Sequence, residues 1–401
     1  MKVLVVNCGS SSLKYQLIET KSSVVLAKGL VERIGLGEVE YSFTHGEKPK
    51  TKVSIQAKNH TEALKEVLSK LVDKEWGVLV SLDEIEAIGH RVVHGGESFY
   101  HSALITDEVI KAIDVNCELA PLHNPPNLQG VLACKEVLPT KKQVAVFDTA
   151  FHQTMPERSY MYALPYTYYE KYKIRRYGFH GTSHRYVAMK AAEFLSKPLE
   201  SINLITCHLG NGSSITAIEK GKSVDTSMGF TPLEGVVMGT RSGSFDPAAL
   251  LYIMEKENLT PKQMSDLLNK KSGLLGLSGI SNDMREIGSA AEQGNHRAKL
   301  TLEVLVHSIR KYIGAYMVEL GSVDAVIFTA GIGENDWLVR EMCMAGMENW
   351  GFVLDKEKNK GVRSTLADVS APSSRSRILV VPTNEELMIA LETEWVIEGR
   401  E

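Results

Sequence analysis

The chain has no excess of positive charge, no close pair of cysteines, no membrane-length apolar run and no low-complexity tail or linker. With 45 Lys+Arg against 49 Asp+Glu, its formal net charge is −4. That balance argues against nucleic acid as the main partner, which usually demands a basic face. The five cysteines, Cys8, Cys117, Cys134, Cys207 and Cys343, are odd in number and scattered. They suit neither a disulfide framework nor a zinc knuckle, and a reducing cytoplasm is the simplest setting. Met1-Lys2 is followed by only four apolar residues, too few for a signal peptide, so a soluble intracellular protein with no membrane partner is expected. A Walker A pattern and the protein-kinase signature set are also missing, and any nucleotide chemistry needs another fold.

What is present centres on Asn203-Leu-Ile-Thr-Cys-His208-Leu209-Gly210-Asn211-Gly212-Ser213-Ser214-Ile-Thr-Ala-Ile218. An apolar run, a tight turn of glycines and hydroxyls, and a second run rich in β-branched residues read as a β-hairpin with an exposed tip. Glycine lets backbone N–H groups approach an anion, and asparagine and serine add donors; phosphate is the natural guest. The pattern recurs. Val3 to Val6 leads into Asn7-Cys-Gly9-Ser10-Ser11-Ser12, followed by Leu13-Lys14-Tyr15, and Ala325 to Phe328 leads into Thr329-Ala-Gly331-Ile332-Gly333-Glu334-Asn335. One such turn mostly just reverses the chain, whereas three suggest loops converging on one polyphosphate.

At 401 residues two domains are the prior expectation. Hydrophobic content of 43% and charged content of 23% are ordinary for a globular chain. Val24 to Lys58 reads as short strands and turns. Asn59 with Glu62 fits a capping box for a helix striped by Leu64, Val67, Leu68, Leu71 and Val72. Ile85 to Val93 and Val144 to Phe147 read as strands, and Asp148 follows the second at its C-terminal end, where ligands bind in open α/β sheets. Two prolines make Leu122 to Asn127 read as a stiff loop. Tyr160 to Tyr177 reads as a connector, and Gly178 to His184 opens a helix. Asp225 to Pro247 lacks periodicity, which suits an active-site segment. Leu300 to Leu320 is a long helix, Ile378 to Val381 a strand, and Thr383 with Glu386 reads as the cap of the last helix. Alternating strands and helices with a repeated opening imply two similar α/β halves with a cleft between them.

Phosphoryl transfer needs positioned positive charge more than covalent chemistry. Asn7, Lys14, Arg91, Asp148, His180, Arg241 and Glu385 all stand at loop ends. Each also has a plain reading. The arginines could be surface ion pairs, Asp148 a cap, Ser10 to Ser12 a polar turn and Lys14 a solvated side chain; spacing alone favours a loop-bonding role for His180. Cys8 and Cys207 read as packed small residues, and His152 and His184 as structural.

Asn7-Cys-Gly-Ser-Ser-Ser-Leu-Lys14, Arg91-Val-Val-His-Gly-Gly96, Phe147-Asp-Thr-Ala-Phe-His152, Gly178-Phe-His-Gly-Thr-Ser-His184, His208-Leu-Gly-Asn-Gly212, Met238-Gly-Thr-Arg-Ser-Gly243, Gly331-Ile-Gly-Glu-Asn335 and Thr383-Asn-Glu-Glu-Leu387 together resemble the acetate kinase family over nearly the whole chain. The resemblance implies duplicated α/β domains of the sugar kinase, Hsp70 and actin type (ribonuclease H-like) with an interdomain active-site cleft. It places residues 1–150 and the C-terminal helix 384–401 in one domain, and residues 151–383 in a nucleotide-binding domain. It implies direct in-line, reversible transfer from ATP to acetate with magnesium, or manganese in its place, in a homodimer.

By the same resemblance, Asn7 and Glu385 hold the metal, and Ser10, Ser12 and Lys14 face the terminal phosphates. His208, Leu209, Gly210, Asn211 and Gly212 bind the phosphate chain. Asp283, Met284, Arg285, Gly331, Ile332, Gly333, Glu334 and Asn335 hold the adenosine end. Arg91 binds the carboxylate, Val93, Leu122, Phe179 and Pro232 enclose the methyl group, and His180 and Arg241 stabilise the moving phosphoryl group. The family assigns Asp148 a proton-transfer role. Acetate is already ionised at neutral pH, so orienting Arg91, Arg241 or a metal-bound water is the work expected of it. Rival readings are a propionate or butyrate kinase, and an actin- or Hsp70-like ATPase that would leave the Arg91 and Arg241 motifs unexplained.

Overall fold

The computed structural model describes residues 1–400 and divides into two compact units, Met1–Gln153 joined by the segment from Asn384 onward, and Thr154–Thr383. The first unit holds strands β1 (Lys2–Gly9), β2 (Ser12–Glu19), β3 (Val24–Glu32), β4 (Val39–His45), β5 (Thr51–Ile55), β6 (Ala87–Val92), β7 (Ala103–Leu104) and β8 (Lys142–Phe147). They form one sheet in the order β5-β4-β3-β2-β1-β6-β8-β7. The second unit holds β9 (Asn203–Leu209), β10 (Ser213–Glu219), β11 (Lys222–Thr226), β12 (Ala325–Thr329), β13 (Ala367–Asp368) and β14 (Arg377–Val380), in the order β11-β10-β9-β12-β14-β13.

The two sheets repeat one plan. In the first, β3, β2 and β1 form an antiparallel meander, and β6 and β8 then continue parallel to β1. In the second, β11, β10 and β9 form the meander, and β12 and β14 continue parallel to β9. This is the duplicated α/β architecture that the strand–turn–strand repeat implied.

Alternation along β1 explains the layers of the first unit. Leu4, Val6 and Cys8 enter a core with Leu64, Val67, Leu68, Ala133 and Cys134, contributed by the helices His60–Leu71 and Asn124–Val137. Val5 and Asn7 point the other way and share a pocket lining with Ile389 of the helix Glu385–Glu398. Gly89 on β6 is required beneath that helix, because a Cβ there would lie 2.4 Å from Thr393 Oγ1 and 2.8 Å from Ile389 Cγ2. In the second unit, Ile205, Cys207, Leu209, Ile215 and Ala217 enter a core with the long helix His296–Leu320.

Three local readings are corrected. The segment Leu122 to Asn127 is not an irregular loop throughout, since a helix begins at Asn124. Pro125 and Pro126 lie in its first turn, where a missing N–H costs nothing because no intrahelical acceptor exists there. The cap of the last helix is Asn384, whose side chain accepts from Leu387 N, rather than Thr383. The third glycine segment is a short helix, Ala330–Asn335, entered through Ala330 at φ 63°. Elsewhere Asn59 caps its helix, but Glu62 reaches back to Lys58 N. Tyr160 to Tyr177 includes the helix Thr167–Tyr172 and lies inside the second unit.

Candidate active site

In the first unit the candidates gather at the C-terminal ends of parallel strands. Arg91 on β6 donates through Nη2 to Asp148 Oδ2 at 2.8 Å, and its Nε lies 4.0 Å from Glu385 Oε2. Asp148 is 1% exposed. Its charge, more than that of Glu385, holds the Arg91 guanidinium above its ordinary value despite burial. The buried Nε of Arg91 makes no hydrogen bond within the chain. Lys14 forms an ion pair with Glu386.

Glu385 is pushed up to about 7, first by loss of solvent and then by Asp148 and Glu386, against the lowering pull of Arg91 and Lys14. Asn7 and Glu385 line one small pocket with Lys14, Arg91 and Glu386. An amide oxygen and a carboxylate are hard donors that suit a magnesium ion retaining most of its water. Negative charge short of compensation at Glu385 fits a cation there. Among the described residues no cluster of three or more His, Cys, Asp or Glu forms a protein cage.

The proline-started helix has a function that sequence reasoning missed. Asn127 Oδ1 accepts from Val93 N at 3.0 Å, and its Nδ2 donates to Cys8 O at 2.9 Å. Asn124 Oδ1 accepts from His94 N at 3.0 Å, while its Nδ2 donates to His94 O at 2.9 Å. Asn127 thus ties Val93 to the end of β1, and Asn124 holds both backbone groups of His94. The Asn-Pro-Pro-Asn spelling was the available signal, because prolines pre-set a first helical turn and a three-residue spacing puts both asparagines on one face of it. Val93 is buried, whereas Leu122 is 68% exposed. Ser10 and Ser11 form the two-residue turn between Gly9 and Ser12.

In the second unit, Gly210-Asn211-Gly212 connects Leu209 to Ser213. A Cβ on Gly212 would lie 3.3 Å from His180 Nε2 and 3.5 Å from Arg241 Nη1, so both side chains reach the same space beside that glycine. His180 stacks on His208 with centroids 4.1 Å apart. Arg241 Nη1 donates to Pro232 O at 3.1 Å, and burial lowers the guanidinium from its ordinary value. The Met238–Arg241 segment can lie against the hairpin because Gly239 has no side chain: a Cβ there would sit 2.0 Å from Asn211 Oδ1. Phe179 is buried and Pro232 half-buried.

A cavity of about 880 Å³ opens beyond the hairpin, lined by Gly210, Asn211, Asp283, Met284, Arg285, Gly331, Ile332 and Asn335. That volume suits a nucleoside-sized ligand. Asp283 caps the helix Met284–Glu292, and its hydrogen bonds to Arg285 depress its carboxyl to about 2. Other predicted residues stay out of the lining. Leu209 lies in the core, and a Cβ on Gly333 would meet the Phe328 backbone at 3.3 Å. Glu334 is 9% exposed and accepts from Ala330 N and Thr383 N.

Sequence reasoning also missed Gly288, Ser289, Glu292, Trp337 and Arg363 in the same wall. Gly288 and Glu292 follow Met284 at helical spacing, a signal that was legible. Arg363 was not. It is placed by the fully buried Arg340, whose guanidinium donates to the carbonyls of Gly333, Glu334, Asn359 and Val362 and to Asn359 Oδ1 at 2.7–3.0 Å.

A twice-used sheet plan, a glycine hairpin of the kind that receives phosphate, and a histidine and an arginine reaching one space beside it are the features of a phosphotransferase built on a duplicated α/β fold. The model of the acetokinase family matches residues 2–391. An acetate kinase of Desulfitobacterium hafniense is 58% identical over 99% of this chain and all of the relative. Among solved structures, acetate kinase of Porphyromonas gingivalis superposes with a TM-score of 0.96 at 49% identity, covering 99% of each chain. A propionate kinase of Francisella tularensis gives 0.90 at 43%, covering 98% of this chain and 99% of that one. The chain belongs to the acetokinase family.

Proposed function

We propose that the chain transfers the γ-phosphoryl group of ATP to acetate, reversibly, giving acetyl phosphate and ADP. An acetate oxygen forms a bond to γ-phosphorus as the bond to the β,γ-bridging oxygen breaks in line, and ADP leaves with that electron pair. Acetate is ionised near neutrality, so no base is needed. Arg91 receives the carboxylate, with Nε available as a donor and Asp148 holding the guanidinium in place. Val93, Leu122, Phe179 and Pro232 are the acyl-side residues. His180 and Arg241 donate to the equatorial oxygens as charge develops. Ser10, Ser12, Lys14 and His208 to Gly212 handle the phosphate chain, and the cavity beyond takes the nucleoside.

Magnesium at Asn7 and Glu385 would supply charge neutralisation on the phosphates. In this reading Thr154–Thr383 is the nucleotide-binding domain, and Met1–Gln153 with the C-terminal helix brings Arg91 to the acceptor and Asn7 and Glu385 to the metal. A reducing cytoplasm is supported by five free cysteines. Homodimerisation is supported by the apolar helix Pro247–Glu257, which buries none of its residues and leaves Leu251 66% and Tyr252 60% exposed.

The observation that carries the reading is the approach of His180 Nε2 and Arg241 Nη1 to one point beside Gly212. Hydroxylamine trapping of acyl phosphate from ATP, magnesium and acetate tests it; ATP hydrolysis without hydroxamate overturns it. Comparison of kcat/KM for acetate, propionate and butyrate tests acyl length, where one methylene is worth about 1–3 kcal/mol. A preference for either longer acid would replace acetate as the acceptor.

A further inference from the structure

His180 stands at the N-cap of the helix Gly181–Leu195, in a left-handed conformation at φ 57° and ψ 24°, and its side chain does not cap that helix. The imidazole is held sideways. Its Nδ1 lies 2.9 Å from Ser214 Oγ, which lies 2.7 Å from His184 Nε2. His184 Nδ1 in turn lies 2.7 Å from Thr206 Oγ1. Thr206, His184 and Ser214 are fully buried. Register explains their meeting: Ser214 pairs with His208 and Thr216 with Thr206, so one face of the β9–β10 hairpin is polar while Ile205, Cys207 and Ile215 fill the core on the other.

A hydroxyl has one hydrogen, so Ser214 cannot donate to both imidazoles. With both imidazoles neutral and the Ser214 hydrogen given to one of them, two arrangements satisfy the series. In one, Thr206 donates to His184 Nδ1, His184 Nε2 donates to Ser214, Ser214 donates to His180 Nδ1, and His180 carries its hydrogen on Nε2. In the other every bond is reversed, and His180 Nε2 is a bare acceptor. Nε2 is the atom that reaches the space beside Gly212 together with Arg241 Nη1. Oxygens of a phosphoryl group lying there accept hydrogen bonds and cannot donate them.

We propose that Ser214 and His184 are positioning residues that set His180 as its Nε2–H tautomer when an anionic phosphoryl group lies beside Gly212. The four side chains then form one directional series of donors ending at an oxygen of the moving phosphoryl group. What occupies that space rests on the phosphoryl-transfer reading; the hydrogen-bond arithmetic does not.

The test is nitrogen-15 NMR of the full chain with labelled histidine, in the presence of magnesium and a non-hydrolysable ATP analogue. The His180 signal is assigned by its loss in His180→Gln. The expected wild-type spectrum has a protonated Nε2 and a bare Nδ1 at His180. Ser214→Ala should mix the tautomers and lower kcat about 10- to 100-fold, part of the loss seen when a donor to a developing charge is removed. KM for ATP and acetate should stay within about threefold, since the donor acts as charge develops, and Ser214→Thr should recover most of kcat. A protonated Nδ1 in the ligated wild type, or an unchanged tautomer in Ser214→Ala, overturns the proposal. If Ser214→Ala does not fold, the wild-type spectrum and Thr206→Val decide, the latter with a shifted tautomer expected. Failure of hydroxylamine trapping in the wild type would instead remove the functional reading and leave the tautomer measurable.

Discussion

Arg91 and Asp148 are joined by a 2.8 Å hydrogen bond in which the carboxylate is buried and the guanidinium is partly open. The buried partner orients, and the open one can meet a ligand. Asp148→Asn should therefore lower kcat/KM for acetate by roughly 10- to 150-fold, the equivalent of one charge-assisted hydrogen bond at about 1.5–3 kcal/mol. The pH dependence of kcat should keep its shape, because no base is removed. Loss of an acidic limb in the variant's profile would restore proton transfer to Asp148.

Arg241 holds Pro232 O and reaches the space beside Gly212 through the same Nη1. A lysine cannot provide two donors in a rigid plane. Arg241→Lys should lose most of kcat while KM for ATP changes little. Steady-state kinetics check this, and near-normal turnover would remove the two-pronged contact.

The pH behaviour of Glu385 has a definite sign. Its folded-state value of about 7 lies above the ordinary 4.5, so between those values the folded chain keeps a proton that the unfolded chain releases. Stability contributed by this group therefore falls as pH rises from about 4.5 to about 7, and levels off above. Glu385→Gln should flatten that part of a Tm-against-pH curve. If magnesium binds there, its stabilising shift should be larger at pH 8 than at pH 6, because binding needs the ionised carboxylate. Thermal melts at both pH values with and without magnesium measure both effects, and equal shifts would argue against Glu385 as a ligand.

Asn384 accepts from Leu387 N at 3.0 Å at the start of the last helix. Asn384→Ala should destabilise the chain by about 1 kcal/mol and Asn384→Asp by much less. Urea unfolding followed by circular dichroism reads the difference.

Much of this was legible because it depends on local pattern. The β1–β2 and β9–β10 hairpins and the parallel strands beside them appear as apolar runs bounded by turn residues, and the helix following Gly178 as 3.6-residue spacing. Single positions were harder. Pro125 and Pro126 look alike in a loop and in a first helical turn, and only the partners of Asn124 and Asn127 distinguish the two. Thr383 and Asn384 are both good caps, so the choice rests on backbone geometry. The exposure of Leu122 and the buried work of Glu334 follow from tertiary packing, which no short window encodes.

Arg340 is hydrogen-bonded to carbonyl oxygens and an amide oxygen, and burial draws it down to about 10 against the opposing pull of the Asp336 carboxylate. Carbonyl dipoles solvate a cation without cancelling it, so near neutral pH a positive charge, offset in part by Asp336, lies behind the nucleoside cavity wall. Mobile counter-ions screen a charge at that depth poorly. A polyanion approaching the wall would meet an attraction that persists when added salt has weakened the pull of exposed Arg285.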